Sequence, residues 1–406
     1  MSRLAFVGLD RQIYVTSAVP GAGLPGSGVG VEPIALTAPI PRASGGSWGV
    51  VARSQETWSW PTWSPDDAWI AAFAVEGSDT ESGPVRVVAL SLDGVRQVEW
   101  AHIPNVSPIY LQWHVSGDAI SVLLQQGAEL ALSLLRKERL GQVRPLEQGV
   151  PLFFNWTPDG KRVLIHVGGK DDPGGRLVLR DPMGDGEDVL FDRSPGSFCA
   201  PVFPAGRAVV ALRHEDGGSE VVASAMDGTD ARPLFVRRGL LAVVPAPNGA
   251  PWVAVSSAPR GEGTPYRGID LVHIETGETR EVSVADCLAF FWSPKGDYLL
   301  YAVVDSEANC LLWNMVYVDG GPSIPLGSFW PTRDILFYLH FFDQYAQSHP
   351  IISSDGRYVA FAGYPAGGGQ ADLSSPPRIF VKDVTEPDRP PELAGRGSFA
   401  VFANKA

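Results

Sequence analysis

FWSPKGDYLLYAV, Phe291 to Val303, is the stretch whose reading decides the fold. An aromatic pair runs into Ser-Pro-Lys-Gly and out again into an apolar strand. Pro presets φ, Gly accepts a positive φ, and the short polar side chains bond to nearby backbone amides, so the segment reads as a tight hairpin turn. The same design recurs in TWSPDDAWIAAF (Thr62 to Phe73), NWTPDGKRVLIHV (Asn155 to Val167) and ISSDGRYVAFAG (Ile352 to Gly363). Three weaker copies keep the turn and the strand after it: WHVSGDAISVLL (Trp113 to Leu124), VFPAGRAVVAL (Val202 to Leu212) and VPAPNGAPWVAV (Val244 to Val255). With the turn placed at Asp67, Gly117, Gly160, Gly206, Gly249, Gly296 and Gly356, successive copies stand 43 to 60 residues apart.

That spacing is the length of a propeller blade. The second half of the repeat supplies two more strands around a polar turn, as in VRVVALSLDGVRQVEW (Val85 to Trp100) and GIDLVHIETGETREVSV (Gly268 to Val284), which makes four antiparallel strands per unit. The terminal GSFAVFANKA (Gly397 to Ala406) aligns with LAFFWSPKG (Leu288 to Gly296), while RLAFVG (Arg3 to Gly8) reads as the strand that follows such a turn. The expectation is therefore an all-β chain, a closed β-propeller of about eight four-stranded blades, or seven if one weak copy is not a true blade. One blade is shared between the N- and C-termini. Residues 1–406 are expected to form a single propeller domain, with 1–38 and 397–406 building the closing blade and 328–350 inserted. Closure of this kind pairs the first and last strands and leaves no open edge.

Composition agrees with many short strands and turns: 45 Gly and 35 Pro accompany only 19% charged residues, and 12 Trp with 18 Phe supply a large apolar core. The net charge of −13 opposes a phosphate backbone, so no nucleic-acid partner is expected. No run of eighteen apolar residues marks a membrane span. In MSRLAFVGLDRQIYV, Asp10 and Arg11 interrupt the only N-terminal apolar stretch, which leaves no signal-peptide core. A cytoplasmic protein is expected, or a periplasmic or secreted one whose signal peptide has been removed. Cys199, Cys287 and Cys310 are an odd set at no metal-like spacing and read as buried free thiols.

The WSPDG-like turns, with an aromatic before them and an apolar strand after, resemble the TolB-type repeat. That repeat is shared by the propeller portions of the Tol-system protein TolB, the tricorn protease and the prolyl oligopeptidase relatives, and the resemblance covers essentially the whole chain. It implies the fold and says little about function.

The longest departure from the repeat is SFWPTRDILFYLHFFDQYAQSHP, Ser328 to Pro350. Its FFDQYAQSH stretch is similar to a segment of bacterial TolB-like proteins. His340, Phe341, Phe342, Asp343, Gln344, Tyr345, Ser348 and His349 there mix polar and aromatic side chains as a recognition surface does. An elongated innermost strand wedged between blades is the plainer reading of the same residues. Other motifs are weaker. GGSWG (Gly45 to Gly49) spells G-x-S-x-G without the strand and helix that a nucleophile elbow needs, and GAGLPG (Gly21 to Gly26) lacks a helix to hold a phosphate. Asp171 and Asp172 in GGKDDPGG are too few carboxylates for a calcium cage. His114 and His166 read as core histidines. The expected function is a non-catalytic binding or scaffold propeller that engages a protein partner through 328–350, as a free chain or as a subunit of a larger assembly. The alternative is an enzyme or small-ligand receptor with its site at the channel mouth. No cofactor and no metal is expected.

Overall fold

A computed structural model describes residues 2–17, 33–37, 56–76, 84–169, 172–184, 186–192, 195–197, 199–258, 265–367 and 370–405. The GAGLPG and GGSWG segments and Asp171 lie outside the described residues. Each expected hairpin turn is present. Asp67, Gly117, Gly160, Gly206, Gly249, Gly296 and Gly356 all have positive φ, from 58° to 78°. In the best copies the amide at that position donates to the carbonyl three residues earlier, as Gly160 does to Thr157 and Gly296 to Ser293, at 2.8 and 2.9 Å. The Ser or Thr hydroxyl that opens the turn then receives the amide that closes it: Arg162 N donates to Thr157 Oγ1 at 3.0 Å.

The strands are gathered in sequence order into antiparallel sheets, most of them four-stranded, whose first strands are Glu56–Trp63, Ser107–Trp113, Leu152–Trp156 and Leu240–Pro245. Two expectations need correction. Among the described residues the unit around VFPAGRAVVAL has three strands, Ala208–Arg213, Ser219–Ser224 and Arg232–Arg237, not four. Pro201 and Pro204 remove amide donors from what would be its first strand, leaving among the described residues only the isolated bridges of Pro195 with Leu212 and Val202 with Val209. The last units are not separate either. Ala289–Trp292 through Pro331, the strands from Tyr358 to Phe402, and the N-terminal strands form one ten-stranded sheet. The join is narrow, two pairs at Trp330 with Tyr364 and Pro331 with Gly363. Gly363 permits it, because a Cβ there would lie 2.8 Å from the Trp330 carbonyl oxygen.

The N-terminal strand Arg3–Gly8 pairs antiparallel with the final strand Glu392–Phe402, from Leu4 opposite Phe402 to Gly8 opposite Gly397. The first half of that final strand pairs instead with Arg378–Asp383. At the changeover only glycine fits, since a Cβ on Gly397 would stand 2.1 Å from the Val7 carbonyl oxygen. Asp67 secures the same end. It is buried, and its carboxylate accepts from the amides of Asn404 and Lys405 and from Asn404 Nδ2, at 3.0, 2.8 and 3.0 Å. That job explains an Asp where the other turns have Gly. Cys199, Cys287 and Cys310 are unpaired and buried, and among the described residues no helix is long and apolar enough to cross a membrane.

Candidate functional site

The 328–350 region is helical after its first residues, not an elongated strand. Thr332 caps helix α1, Arg333–His340, by accepting from Ile335 N at 3.3 Å, and a short helix α2, Phe342–Tyr345, follows. Ile335, Tyr338, Leu339 and Phe342 fall at helical spacing and are all buried.

These two helices form a plug against which the sheets' first strands converge. Tyr345 lies on Trp60 and Tyr110, with ring centroids 4.8 and 4.9 Å away. Phe342 meets Phe290 and Phe291 at 4.8 and 5.6 Å, and Tyr338 stacks on Phe291 and touches Phe399. Polar groups of the plug serve the free edges of the same strands. The Gln344 side chain accepts from Phe154 N and donates to Phe154 O, both at 2.9 Å, as a neighbouring strand would. Asp343 Oδ2 accepts from Ala200 N at 3.2 Å, and the Tyr345 hydroxyl donates to Ile109 O. Three consecutive side chains thus satisfy the edges of three different units.

The residues named from the sequence divide accordingly. Phe342, Asp343, Gln344, Tyr345 and His349 are buried, and Ser348 is half-buried, with its hydroxyl donating to Tyr110 Oη and meeting His349 Nδ1 at 2.8 and 2.7 Å. His340 and Phe341 are exposed. Burial pushes the Asp343 carboxyl up to about 6, against the opposing effect of the amides of Ala200 and Gln344. Burial likewise holds His349 down to about 3, so it stays a neutral imidazole at neutral pH. His114 and His166 are core histidines, His114 bonded to Gly160 O and Ser116 Oγ at 2.7 and 2.8 Å.

Beside the plug is a cavity of about 190 Å³ lined by Val7, Arg11, Ser59, Trp60, Pro108, Asp334 and Phe399. We call it the mouth. Two of its residues have left-handed backbones, Arg11 at φ 60° and Trp60 at φ 53°. Such conformations are uncommon for non-glycine residues and each costs about 1–3 kcal/mol; strain of this kind gathers at functional sites. Trp60 sits in the bulge between Ser59 and Thr62, directly before Pro61, where the backbone is normally extended. Across the mouth Arg11 Nη1 bonds to Asp334 Oδ2 at 3.2 Å, and Ser398 Oγ donates to that same oxygen at 2.5 Å. Phe337 and Phe341, 36% and 38% exposed, extend the mouth with an aromatic ridge, their centroids 5.1 Å apart.

A larger cavity, about 420 Å³, opens between two neighbouring sheets at Asp159, Lys161, Met226 and Asp227. Its carboxylates are spent on their own turns, Asp159 on Thr157 and Lys161 N, Asp227 on Thr229. Among the described residues neither a left-handed non-glycine residue nor an ion pair spanning distant elements lines it, so the mouth is the stronger candidate. Among the described residues no group of three or more His, Cys, Asp or Glu is placed to share a metal ion. Arg11, Trp60 and Asp334 carry no motif in the sequence; the one local signal is the Trp-Pro step inside ETWSWPTW.

No family model matches the sequence, and no curated protein matches it. Solved structures do. A prolyl endopeptidase is 13% identical with a TM-score of 0.56, over 86% of this chain and 50% of that one. An oligogalacturonate lyase from Vibrio parahaemolyticus is 14% identical with a TM-score of 0.53, over 95% and 97%. TolB from Acinetobacter baumannii is 13% identical with a TM-score of 0.41, over 79% and 65%. With its antiparallel sheets following one another in sequence order, the chain has the β-propeller fold, in common with the prolyl endopeptidase and the lyase. At such identities the likeness is one of fold alone, and the chain spans half the length of the prolyl endopeptidase.

Proposed function

We propose that the chain is a binding module: eight blades closed into a ring between the termini, with a plugged hub whose mouth and aromatic ridge receive a protein partner. The observation that supports this reading is the mouth itself. Two left-handed non-glycine residues hold an ion pair and an aromatic wall open at the surface, beside phenylalanines that the plug leaves exposed. Exposed aromatics on a rigid base are the usual anchors of protein recognition. A small-ligand receptor is the second reading, favoured by the confined volume of the mouth.

The test is a Phe337→Ser, Phe341→Ser double variant. Tagged wild type and variant are recovered from native cells at physiological salt and their companions compared, with the thermal melt of each measured alongside. A stoichiometric companion of the wild type should fall about tenfold or more in the variant, the loss expected for removing two central aromatics. Equal recovery by a variant with an unchanged melt contradicts the partner surface, and recovery of the wild type alone turns the reading toward a small ligand.

A further inference from the structure

Resting on the reading of the mouth as a partner-binding surface, we propose that the mouth takes a cationic side chain, an arginine or lysine of the partner, which replaces Arg11 against Asp334. Arg11 already shows that the place suits a cation. Its hold is weak, a 3.2 Å contact through one nitrogen from a side chain 38% exposed, on a turn residue at φ 60°.

Asp334 does not depend on Arg11 for its position. Ser398 Oγ donates to it at 2.5 Å, and the first turn of α1, capped by Thr332, carries its backbone. An incoming cation therefore finds a fixed carboxylate. The walls are compatible with it as well, since Trp60 and Phe399, with centroids 4.9 Å apart, line the mouth with aromatic rings, groups to which a guanidinium or ammonium is attracted. The free volume of about 190 Å³ is that of roughly six waters with Arg11 still in place. At longer range the net charge of −13 draws cationic partners toward the chain and repels anionic ones. The geometry describes an exchange of one cation for another, in which Arg11 fills the site until the partner arrives.

The probe is N-acetyl-arginine methylamide, whose only charge is the guanidinium, titrated against the full chain by ligand-observed NMR with N-acetyl-norleucine methylamide as the uncharged control. The wild type should bind the arginine probe and not the control. Arg11→Ala vacates the site and should tighten binding about threefold or more; Asp334→Asn should abolish it. A merely structural ion pair predicts the reverse for Arg11→Ala, which would then weaken or leave binding unchanged. Equal binding of both probes, or binding indifferent to Asp334→Asn in a chain with an unchanged melt, overturns the inference. If the partner still depends on Phe337 and Phe341 while the probe ignores Asp334, only the cation assignment falls. If the probe behaves as expected while the double Ser variant keeps its companion, the ridge is the part that fails.

Discussion

Gln344→Met is expected to cost the fold about 2–6 kcal/mol, read as a lower denaturation midpoint in urea, although the substitution keeps the length of the side chain and most of its volume. The reason is the double bond to Phe154. Gln344 is 1% exposed, and its amide both accepts from and donates to the backbone of a strand whose other edge alone is paired. Methionine fills the space and can do neither. It leaves a buried N–H and a buried C=O without partners, each worth about 1–3 kcal/mol when stranded away from water. A loss within a few tenths of a kcal/mol, as for a surface change, would mean that the plug only fills space at this point.

Asp343→Asn should change how stability depends on pH. The folded state holds the Asp343 proton up to about 6, whereas the unfolded chain releases it near the ordinary value of 3.8. The folded state therefore binds more protons between those values, and stability is lost as pH rises through them. The full effect of the shift is roughly 3 kcal/mol, of which about 2 kcal/mol falls between pH 4.5 and 7.5. Asparagine keeps an oxygen to accept from Ala200 N but has no proton to lose. The difference in unfolding free energy, wild type minus variant, should accordingly drop by about 2 kcal/mol from pH 4.5 to 7.5. Subtracting the variant removes the contributions of His166 and His349, whose lowered values act in the opposite direction as pH falls. A pH-independent difference would mean that Asp343 stays ionised in the fold.

The repeat was legible in the sequence because each turn is specified by its own few residues. All seven positions chosen as the turn adopt positive φ. The four-strand plan is less local, and it fails where prolines 201 and 204 take donors out of a strand and where Gly363 lets two neighbouring units touch. The departure at 328–350 is equally visible, but the strands on either side of it favour an extended conformation. The spacing of Ile335, Tyr338, Leu339 and Phe342 and the capping Thr332 state a helix in local terms. Its burial could not be read in advance, since a run of aromatics and small polar groups suits an exposed recognition surface and a satisfied core alike. The mouth was hidden for a different reason. Arg11, Trp60 and Asp334 lie in three distant parts of the chain, and only the pairing of the first and last strands around the plug brings them together.

Hydrogen exchange at two backbone amides tests the plug most directly. Phe154 N donates to Gln344 and Ala200 N to Asp343, so both should exchange only with global unfolding, as slowly as the amides inside Ala119–Gln126. In Gln344→Met the Phe154 amide alone should lose that protection. If both amides in the wild type exchange as fast as the exposed turn at Gly127, the segment from Thr332 to Pro350 does not seal these edges, and the account of a plugged hub carrying a surface mouth is wrong.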